Sequence, residues 1–526
     1  TGGDGRDVLK NIEAVRGSSF NDNIIGNSLD NFLRGGLGND TLDGGAGFDW
    51  ADYRNASGIV AVNLANRSAT GADGTDILFN FEAIRGGSYD DSLTGDGGDN
   101  FLRGGMGNDK LDGGDGYDWA DYRDASGSVT VNLASQSATG ADGTDILLNF
   151  EAIRGGSYDD RLTGDSGDNF IRGGTGNDTL DGGAGFDWAD YKDAAGSVTV
   201  NLSAGSALGA DGTDSLINIE AIRGSAFSDS LTGDGGDNFL RGGLGNDTLD
   251  GGAGIDWADY RDASGAIIVS LISCSSSGAD GVDSLRNIEA IRGSAYNDSL
   301  IGDSGNNWLR GGLGNDTLDG GVGNDWADYR DASGSVYVNL TTGIVTGADG
   351  TDILRNIENI RGSIFNDTLV GNYNFNTLRG GLGADLLTGG LGSDVFEILS
   401  VEESNVNSFD TITDFNAVDQ FRLGTVPTTI LNQNQNPSTN ATGNLATDLR
   451  QAIIAAGAQN FLQGCAALVS INSVNTNSST SNSDAGKYLV FAGAGHGATA
   501  GFNSSTDTVV KLQNYQGTLS ASNFTS

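Results

Sequence analysis

Large apolar side chains recur every nine residues along most of the chain, each two positions after an acidic or amide residue. From residue 77 the sequence divides into ILFNFEAIR, GGSYDDSLT, GDGGDNFLR, GGMGNDKLD and GGDGYDWAD. In these segments position 6 is Asp, Asn or Glu and position 8 is usually Leu or Ile. Because a Gly-rich turn precedes each apolar position, the nine-residue unit predicts one turn and one short strand. Two units would complete an 18-residue coil whose position-8 side chains point inward.

The 18-residue step then predicts which side chains are neighbours in a stack of such coils. The predicted apolar neighbours are Leu93 with Leu111 and Ile84 with Leu102. The predicted polar columns are Asp73, Asp91 and Asp109 on one edge, and Glu82, Asn100 and Asp118 on the opposite edge. One coil cannot bury a core alone, so each is expected to bury its face on the next coil.

A longer period of 69 residues contains the nine-residue units. Its copies start at Thr1, Thr70, Thr139, Leu208, Ser277 and Thr346, with no insertion or deletion between them. A stretch in each copy, such as YRDASGSVTVNLASQSA, lacks the turn motif, but the alternation of Val129, Val131 and Leu133 still predicts a strand. We interpret it as an irregular fourth coil. The fold class expected is all-β, a parallel β-roll or β-solenoid of six 69-residue units over residues 1–399, followed by a small α/β cap in residues 400–526.

Glycine and acid dominate the composition. The chain has 86 Gly, 2 Pro and 70 acidic against 28 basic residues, with a formal net charge of −42. Only nine of the acids are Glu, and Asp partnered with Gly indicates tight turns that present short carboxylates to a cation. The hexamer GGxGxD occurs twelve times, ending at Asp40, Asp49, Asp109, Asp118, Asp178, Asp187, Asp247, Asp256, Asp316, Asp325, Asp385 and Asp394.

This hexamer density resembles the RTX family of calcium-binding nonapeptide repeats, GGxGxDxUx with U a large apolar residue, over residues 1–396. The resemblance implies a parallel β-roll with Ca²⁺ between equivalent turns of adjacent coils, held by position-6 carboxylates and glycine-turn carbonyls. It implies that Asp109 shares an ion with Asp91, and Asp118 with Asn100. At two to four ions per unit, roughly 12 to 24 Ca²⁺ would bind. Besides the twelve hexamer residues, the expected ligands are Asp22, Asp91, Asp160, Asp229, Asp298 and Asp367, then Asp73, Asp142, Asp211, Asp280 and Asp349, and Asn100.

Two other recurring features leave alternatives open. The series that includes Glu82 has Arg three residues later, as in Arg85, and we favour ion pairing along the stack over calcium binding. The series that includes Trp50 and Trp119 would serve either as stacking platforms for glycans or as packing for the irregular coil. We favour packing, because a solenoid core needs an equal copy in every unit.

The period ends near residue 400. Phe409–Phe415 reads FDTITDF and resembles the strand that commonly closes an RTX roll; a cap is needed because an open end exposes strand edges. Thr447 is a candidate N-cap for a helix through DLRQAIIAAGAQNFLQ, and KYLVFAG and DTVVKLQNY predict strands. The tail is similar to uncleaved C-terminal signals read by type I exporters, and a cap and assembly domain is an equally good interpretation.

Other functional classes find little support. The one His, His496, provides no zinc site or Ser-His-Asp triad, GAGHGA lacks the ending of a phosphate loop, and no enzymatic activity is expected. The chain has no run of basic residues, so nucleic acid is not an expected partner. It has no apolar stretch long enough to span a membrane, so no membrane-spanning segment is expected. Cys274 and Cys465 lie too far apart in unlike contexts to suggest a disulfide framework. The chain starts at Thr1 without an initiator Met or signal-peptide pattern, which indicates processing or trimming.

The function expected is that of a secreted calcium-binding structural protein at the cell surface, a surface-layer, sheath or filament subunit that folds when Ca²⁺ binds. Expected partners are further copies of the chain and the type I exporter, with cell-surface polysaccharide as another candidate. The alternatives are the stalk of an adhesin and the secretion and folding region of a larger exoenzyme or toxin.

Overall fold

The computed structural model describes residues 8–405, 407–424, 429–432, 439–440, 449, 465–472, 486–492, 507–513, 515 and 519–525. Short strands joined by turns account for nearly all of them. The chain forms two compact units, one of residues 1–258 with 283–287 and the other of residues 259–282 with 288–526. No described helix is both long and apolar enough to cross a membrane.

The first unit contains two sheets. One is parallel throughout, and its strands in spatial order are β1 (Ala14–Arg16), β3 (Phe32–Arg34), β5 (Trp50–Asp52), β9 (Ala83–Arg85), β11 (Phe101–Arg103), β13 (Trp119–Asp121), β17 (Ala152–Arg154), β19 (Phe170–Arg172), β21 (Trp188–Asp190), β25 (Ala221–Arg223), β27 (Phe239–Arg241) and the start of β29 (Trp257–Asp259).

The other sheet of this unit is mixed. Its strands in spatial order are β2 (Asn23–Ile25), β4 (Thr41–Asp43), β8 (Gly74–Phe79), β7 (Ser68–Gly71), β6 (Val60–Asn63), β10 (Ser92–Thr94), β12 (Lys110–Asp112), β16 (Gly143–Leu148), β15 (Ser137–Gly140), β14 (Val129–Asn132), β18 (Arg161–Thr163), β20 (Thr179–Asp181), β24 (Gly212–Ile217), β23 (Ser206–Gly209), β22 (Val198–Asn201), β26 (Ser230–Thr232), β28 (Thr248–Asp250) and β32 (Ser284–Arg286).

The second unit repeats this arrangement. Its parallel sheet has β33 (Ala290–Arg292), β35 (Trp308–Arg310), β37 (Trp326–Asp328), β41 (Asn359–Arg361), β43 (Thr377–Arg379), β45 (Val395–Ile398), β47 (Gln420–Leu423) and β53 (Phe524–Thr525). Its mixed sheet has β31 (Ser275–Gly278), β30 (Ile267–Ser270), β34 (Ser299–Ile301), β36 (Thr317–Asp319), β40 (Gly350–Arg355), β39 (Ile344–Gly347), β38 (Val336–Asn339), β42 (Thr368–Val370), β44 (Leu386–Thr388), β46 (Asp410–Ile412), β52 (Thr508–Leu512), β51 (Gly486–Phe491) and β50 (Cys465–Asn472), with β48 (Thr429–Asn432) and β49 (Thr439–Asn440) beside β50.

The predicted parallel β-roll is confirmed, and so is the 18-residue register of its core. Leu93 pairs with Leu111 and Ile84 with Leu102, and all four side chains are fully buried. The paired strands β10 and β12 are each three residues long and bury their middle side chains, because successive side chains of a strand point to opposite faces. The core is thus a column of Leu and Ile between the two sheets, one layer per coil.

The irregular stretch of each repeat folds as an antiparallel meander rather than as a fourth coil. The predicted strand is present as β14, which pairs antiparallel with β15, and β15 pairs antiparallel with β16. In the parallel sheet the meander places Trp119 opposite Ala152. The paired residues are therefore 33 positions apart in the sequence instead of 18. Each repeat therefore adds three strands to the parallel sheet, and the third step includes the meander.

The recurrent tryptophans pack inside the roll, as predicted. Trp50, Trp119 and Trp188 are each less than one-tenth exposed. Trp119 stacks on Phe101 with ring centroids 5.3 Å apart, and Arg103 lies 4.9 Å from the Trp50 ring centroid. Side chains so enclosed are not available as glycan platforms, so that alternative is wrong.

Strands from the C-terminal segment extend both sheets of the second unit. In the FDTITDF segment, β46 pairs in parallel with β44. After that segment, β47 pairs in parallel with β45. The strands predicted in KYLVFAG and DTVVKLQNY are β51 and β52, and β53, preceded by a 3₁₀ turn at Ala521–Asn523, pairs with β47. The predicted helix lies outside the described residues except for Leu449, as does His496. The domain boundary near residue 400 stays a prediction. Cys274 is exposed and not in a disulfide.

Candidate metal centre

The position-6 aspartates of the hexamers join successive coils. Oδ1 of Asp109 accepts a 2.7 Å hydrogen bond from the backbone N–H of Asp91 in the preceding coil. On the opposite edge Oδ1 of Asp118 accepts one of the same length from the N–H of Asn100. The same bond to an N–H 18 residues earlier is made by Asp40, Asp49, Asp178, Asp187, Asp316, Asp325, Asp385 and Asp394.

The second carboxylate oxygen of these residues is buried and accepts no hydrogen bond. This holds for Oδ2 of Asp40, Asp49, Asp109, Asp118, Asp178, Asp187, Asp316, Asp325, Asp385 and Asp394. A buried carboxylate oxygen without a partner costs several kcal/mol, and buried charges are normally paired or bound to a metal. Its recurrence at one motif position indicates a cation site rather than a local packing fault.

The glycines of the hexamer keep the space beside this oxygen open. A Cβ on Gly104 would lie 2.2 Å from Oδ2 of Asp109, and a Cβ on Gly113 would lie 2.6 Å from Oδ2 of Asp118. Gly105 has a φ of +100°, and a Cβ there would lie 2.2 Å from the carbonyl oxygen of Gly87 in the preceding loop. Only glycine allows backbone and carboxylate to approach this closely.

Backbone carbonyls must complete any cation site here. Within the described part of the chain, no three side chains of Asp, Glu, His or Cys converge as a metal-binding group. Ca²⁺ takes six to eight oxygen ligands and accepts backbone carbonyls as readily as carboxylates. The donor set, one carboxylate oxygen beside the carbonyls of glycine turns, therefore fits calcium and provides no nitrogen or sulfur for a softer metal.

The same surroundings raise the pKa of these carboxyl groups. Burial raises the pKa of Asp109 to about 7, and the negative charges of Asp145 and Asp91 contribute. Burial likewise raises the pKa of Asp118 to about 7 and that of Asp187 to about 6. Burial disfavours the ionised form of these carboxyl groups, so a bound cation that neutralises the negative charge would stabilise that form.

The family model of the RTX calcium-binding nonapeptide repeat, four copies long, matches residues 16–51, 85–120, 154–189, 223–258, 292–327 and 361–396. Each match contains both hexamers of one 69-residue unit. The chain carries six RTX repeat regions. RTX repeats bind Ca²⁺, and the proteins that contain them are typically secreted. A search of curated proteins returns no match.

The six RTX loops without a glycine at position 4 have a different arrangement. Both carboxylate oxygens of Asp91 accept hydrogen bonds, Oδ2 from the N–H of Gly87 at 2.7 Å and Oδ1 from the N–H of Val60 at 2.8 Å. In the loop that follows, GDGGDN, which has a glycine at position 4, Asn100 uses Oδ1 to accept from the N–H of Asp96 at 2.6 Å. That Asp91 and Asn100 share ions with Asp109 and Asp118 stays a prediction.

The predicted position of Asp73 in the polar column is wrong. Val60, not Asp73, is the neighbour of Asp91 in the stack, because the meander intervenes. The Asp73 carboxylate instead accepts from the N–H of Ser57 at about 3.1 Å and from its hydroxyl. Asp142, Asp280 and Asp349 accept from the N–H and hydroxyl groups of Ser126, Ser264 and Ser333, and Asp211 accepts from the N–H of Ala195. Metal binding by this series stays a prediction.

One set of aspartates that link the RTX coils was not predicted from the sequence. Oδ1 of the buried Asp145 accepts from the N–H of Asp109 at 3.0 Å, and its Oδ2 accepts from the hydroxyl of Tyr122 at 2.9 Å. Asp76, Asp214 and Asp352 make the same pair of bonds. At the end of the repeats Asp410 and Asp419 accept from the N–H groups of Asp385 and Asp394. The signal available was the recurrence of Thr-Asp at one position of the 69-residue repeat.

The Glu and Arg series also have partners other than those predicted. Oε2 of Glu151 accepts from the N–H of Asp118 at 2.9 Å. The longer Glu side chain therefore links the two coils that are separated by the meander. Arg85 pairs with Asp124 at 2.7 Å rather than with Glu82. Arg103 pairs with both Asp124 and Asp121, and the Asp121 side chain is fully buried.

Proposed function

We propose that this chain is a secreted, calcium-loaded structural protein of the cell exterior, a subunit of a surface layer, sheath or filament, without enzymatic activity. The recurrence of the unpartnered buried Oδ2 atom at one position in both hexamers of five repeats supports this proposal. Carboxylates repeated in this way favour a series of equivalent cation sites along the repeats. A catalytic centre would instead need a unique acid and base.

The chain's own residues couple these cation sites to folding. Asp109 and Asp145 place two carboxylates in one buried column, where their charges repel. Bound Ca²⁺ would supply the positive charge that offsets this repulsion, and Oδ2 of Asp109 with turn carbonyls would hold it. Binding free energy then becomes folding free energy, so the extended chain would be favoured where calcium is scarce, and the folded roll where it is millimolar.

Export and self-association belong to the same proposal. A chain that folds only in external calcium stays compatible with passage through a type I exporter. Once outside, the repeats would give a subunit with many equal surfaces, which suits assembly with further copies.

Far-ultraviolet circular dichroism with calcium and with a chelator tests the folding step, and electron microscopy of the calcium-loaded chain tests assembly. We expect strand content to appear only with calcium, at a midpoint unaffected by Mg²⁺, and ordered polymers to form under the same conditions. Unchanged strand content after chelation would overturn calcium-dependent folding. Strand formation with dispersed monomers at all concentrations would overturn the role as a self-assembling subunit.

A further inference from the structure

Four equivalent clefts lie beside the RTX loops, three in the first unit and one in the second. Their volumes are about 350, 200, 290 and 280 Å³. The second cleft contains Arg85, Arg103, Asp121 and Asp124, and the third has the equivalent residues of the next repeat, Arg154, Arg172, Asp190 and Asp193. None of these groups belongs to the hexamer carboxylates.

Arginines and aspartates line these clefts in nearly equal numbers: the first two clefts have a formal charge of zero, and the third and fourth each have one aspartate more than arginines. Arg54, Arg85 and Arg103 line the second cleft together with Asp121, Asp124 and Asp142, so its formal charge is zero. The carboxylate of Asp124, about two-fifths exposed, bridges Arg85 at 2.7 Å and Arg103. In the fourth cleft Asp331 bridges Arg292 at 2.9 Å and Arg310 at 2.5 Å. A polyanion would meet the aspartates, and a polycation the arginines.

Most of the basic side chains of this acidic chain lie at the positions that build these clefts. Seventeen of the 28 Lys and Arg occupy three positions of the repeat, so the remaining surface is strongly acidic and disfavours an anionic polymer. The three series are Arg16, Arg85, Arg154, Arg223, Arg292 and Arg361; Arg34, Arg103, Arg172, Arg241, Arg310 and Arg379; and Arg54, Arg123, Lys192, Arg261 and Arg330.

An exposed aromatic side chain stands next to each cleft. Ser88 lines the second cleft and is followed by Tyr89, which is 44% exposed; Ser157 and Tyr158 repeat this at the third cleft. The position is Phe or Tyr in all six repeats, as Phe20, Tyr89, Tyr158, Phe227, Tyr296 and Phe365. Each is more than one-third exposed, so packing in the core does not account for the recurrence.

We propose that these clefts and the adjacent aromatic side chains bind a neutral, hydroxyl-rich polysaccharide, one segment per repeat. Hydroxyl groups both donate and accept hydrogen bonds, so they suit a surface where Arg donors and Asp acceptors occur side by side in nearly equal numbers. The apolar face of a sugar ring suits an exposed Tyr or Phe. A site repeated at a fixed interval suits a polymer, because linked weak contacts add through effective concentration. This inference adds an anchoring ligand to the proposed role at the cell exterior and rests on that role.

The test is affinity electrophoresis of the full chain in calcium through gels that contain a soluble neutral glucan, a mannan or an acidic polysaccharide such as alginate. We expect retardation by at least one neutral polymer and none by alginate. The variant Tyr89→Ala, Tyr158→Ala, Phe227→Ala, Tyr296→Ala should lose about tenfold or more in affinity. The matched control is Tyr337→Ala with Tyr373→Ala, which removes exposed tyrosines from other positions and should bind normally.

A second variant fills the clefts instead of removing the rings. Ser88→Trp with Ser157→Trp places bulk at exposed positions that line the second and third clefts, and it should also weaken binding. Calcium-dependent circular dichroism shows that each variant is folded. Normal binding by the folded aromatic variant, a preference for alginate, or no retardation by any neutral polymer would overturn the inference. Polymer formation without glycan is measured separately, so glycan binding can fail while assembly remains.

Discussion

The backbone N–H of Asp91 donates a 2.7 Å hydrogen bond to Oδ1 of Asp109, the residue 18 positions later. One oxygen of the Asp109 carboxylate thus fixes the spacing of two coils, while the other faces the glycine turn without a hydrogen-bond partner. Structural and ion-binding roles are divided between the two oxygens of one side chain. Substitutions at this residue can therefore separate the two roles.

Asp109→Asn should have opposite effects with and without calcium. The amide oxygen can still accept from Asp91, while the buried negative charge and the anionic ligand are lost. In chelator we expect more strand content than the wild-type chain has, measured by circular dichroism, and in calcium a loss of about 1–3 kcal/mol, measured by urea unfolding. Asp115→Asn, an equal change of charge at an exposed position of the next loop, is the control and should alter neither value. Unchanged stability of Asp109→Asn in calcium would contradict an ion-binding role.

Gly104→Ala should damage the calcium-loaded state because the new Cβ would lie 2.2 Å from Oδ2 of Asp109. We expect a loss of about 2 kcal/mol or more and a smaller number of bound calcium ions, measured by thermal unfolding and calorimetric titration. Gly97→Ala in the neighbouring loop is the control, since its Cβ would meet nothing within 4 Å. Calcium binding by Gly104→Ala at wild-type affinity would argue against a site at this oxygen.

The raised pKa values predict a pH dependence that reverses with calcium. The pKa of Asp109 is about 7 in the folded chain against an ordinary value of 3.8, so the folded state binds more protons than the unfolded state. Without calcium, stability should fall as the pH rises from about 4 to above 7. In calcium, the ion displaces the proton, so affinity should rise over the same range, and binding near pH 6 should release protons. Chelator-buffered titrations at several pH values, with a pH indicator in weakly buffered solution, measure both effects.

Arg103→Met should strongly destabilise the calcium-loaded roll. Arg103 pairs with the fully buried Asp121 at 2.6 Å and lies over the Trp50 ring. Removal of one partner of a buried ion pair leaves an uncompensated charge, which costs about 3–5 kcal/mol. Arg161→Met, at an exposed position of β18, is the control and should cost less than about 0.5 kcal/mol in urea unfolding. A small effect of Arg103→Met would mean that Asp121 finds another cation.

The pairing of core residues could be predicted from the sequence because it depends only on the number of residues in one coil. The 18-residue step is enough to set Leu93 beside Leu111, and this pairing is confirmed. The same step failed for Asp73, because the antiparallel meander makes Val60, 31 residues before Asp91, the neighbour of Asp91 in the mixed sheet. Strand alternation alone predicted β14 but not the direction of the strands around it, since antiparallel and parallel pairing leave the same local pattern.

The candidate site was predictable where it depends on glycine turns and not elsewhere. GGxGxD marks Asp109 and Asp118 directly. Asp145 lies in a strand and reaches Asp109 over 36 residues, so no local motif marks it as a residue that links the coils. Only the recurrence of Thr-Asp at one position of the 69-residue repeat could have drawn attention to it.

The unbroken 69-residue period also has a genetic consequence. Residues 139–207 begin and end at the same points of the repeat as residues 70–138, so loss of either stretch would join segments that already fit one another. Recombination between neighbouring copies of the coding sequence would therefore yield shorter or longer chains that still fold, provided that whole repeats are exchanged. A frame-preserving loss of any other length would interrupt the alternation of coil and meander. Length variation among natural alleles is thus expected in whole multiples of the stretch of DNA that encodes one repeat.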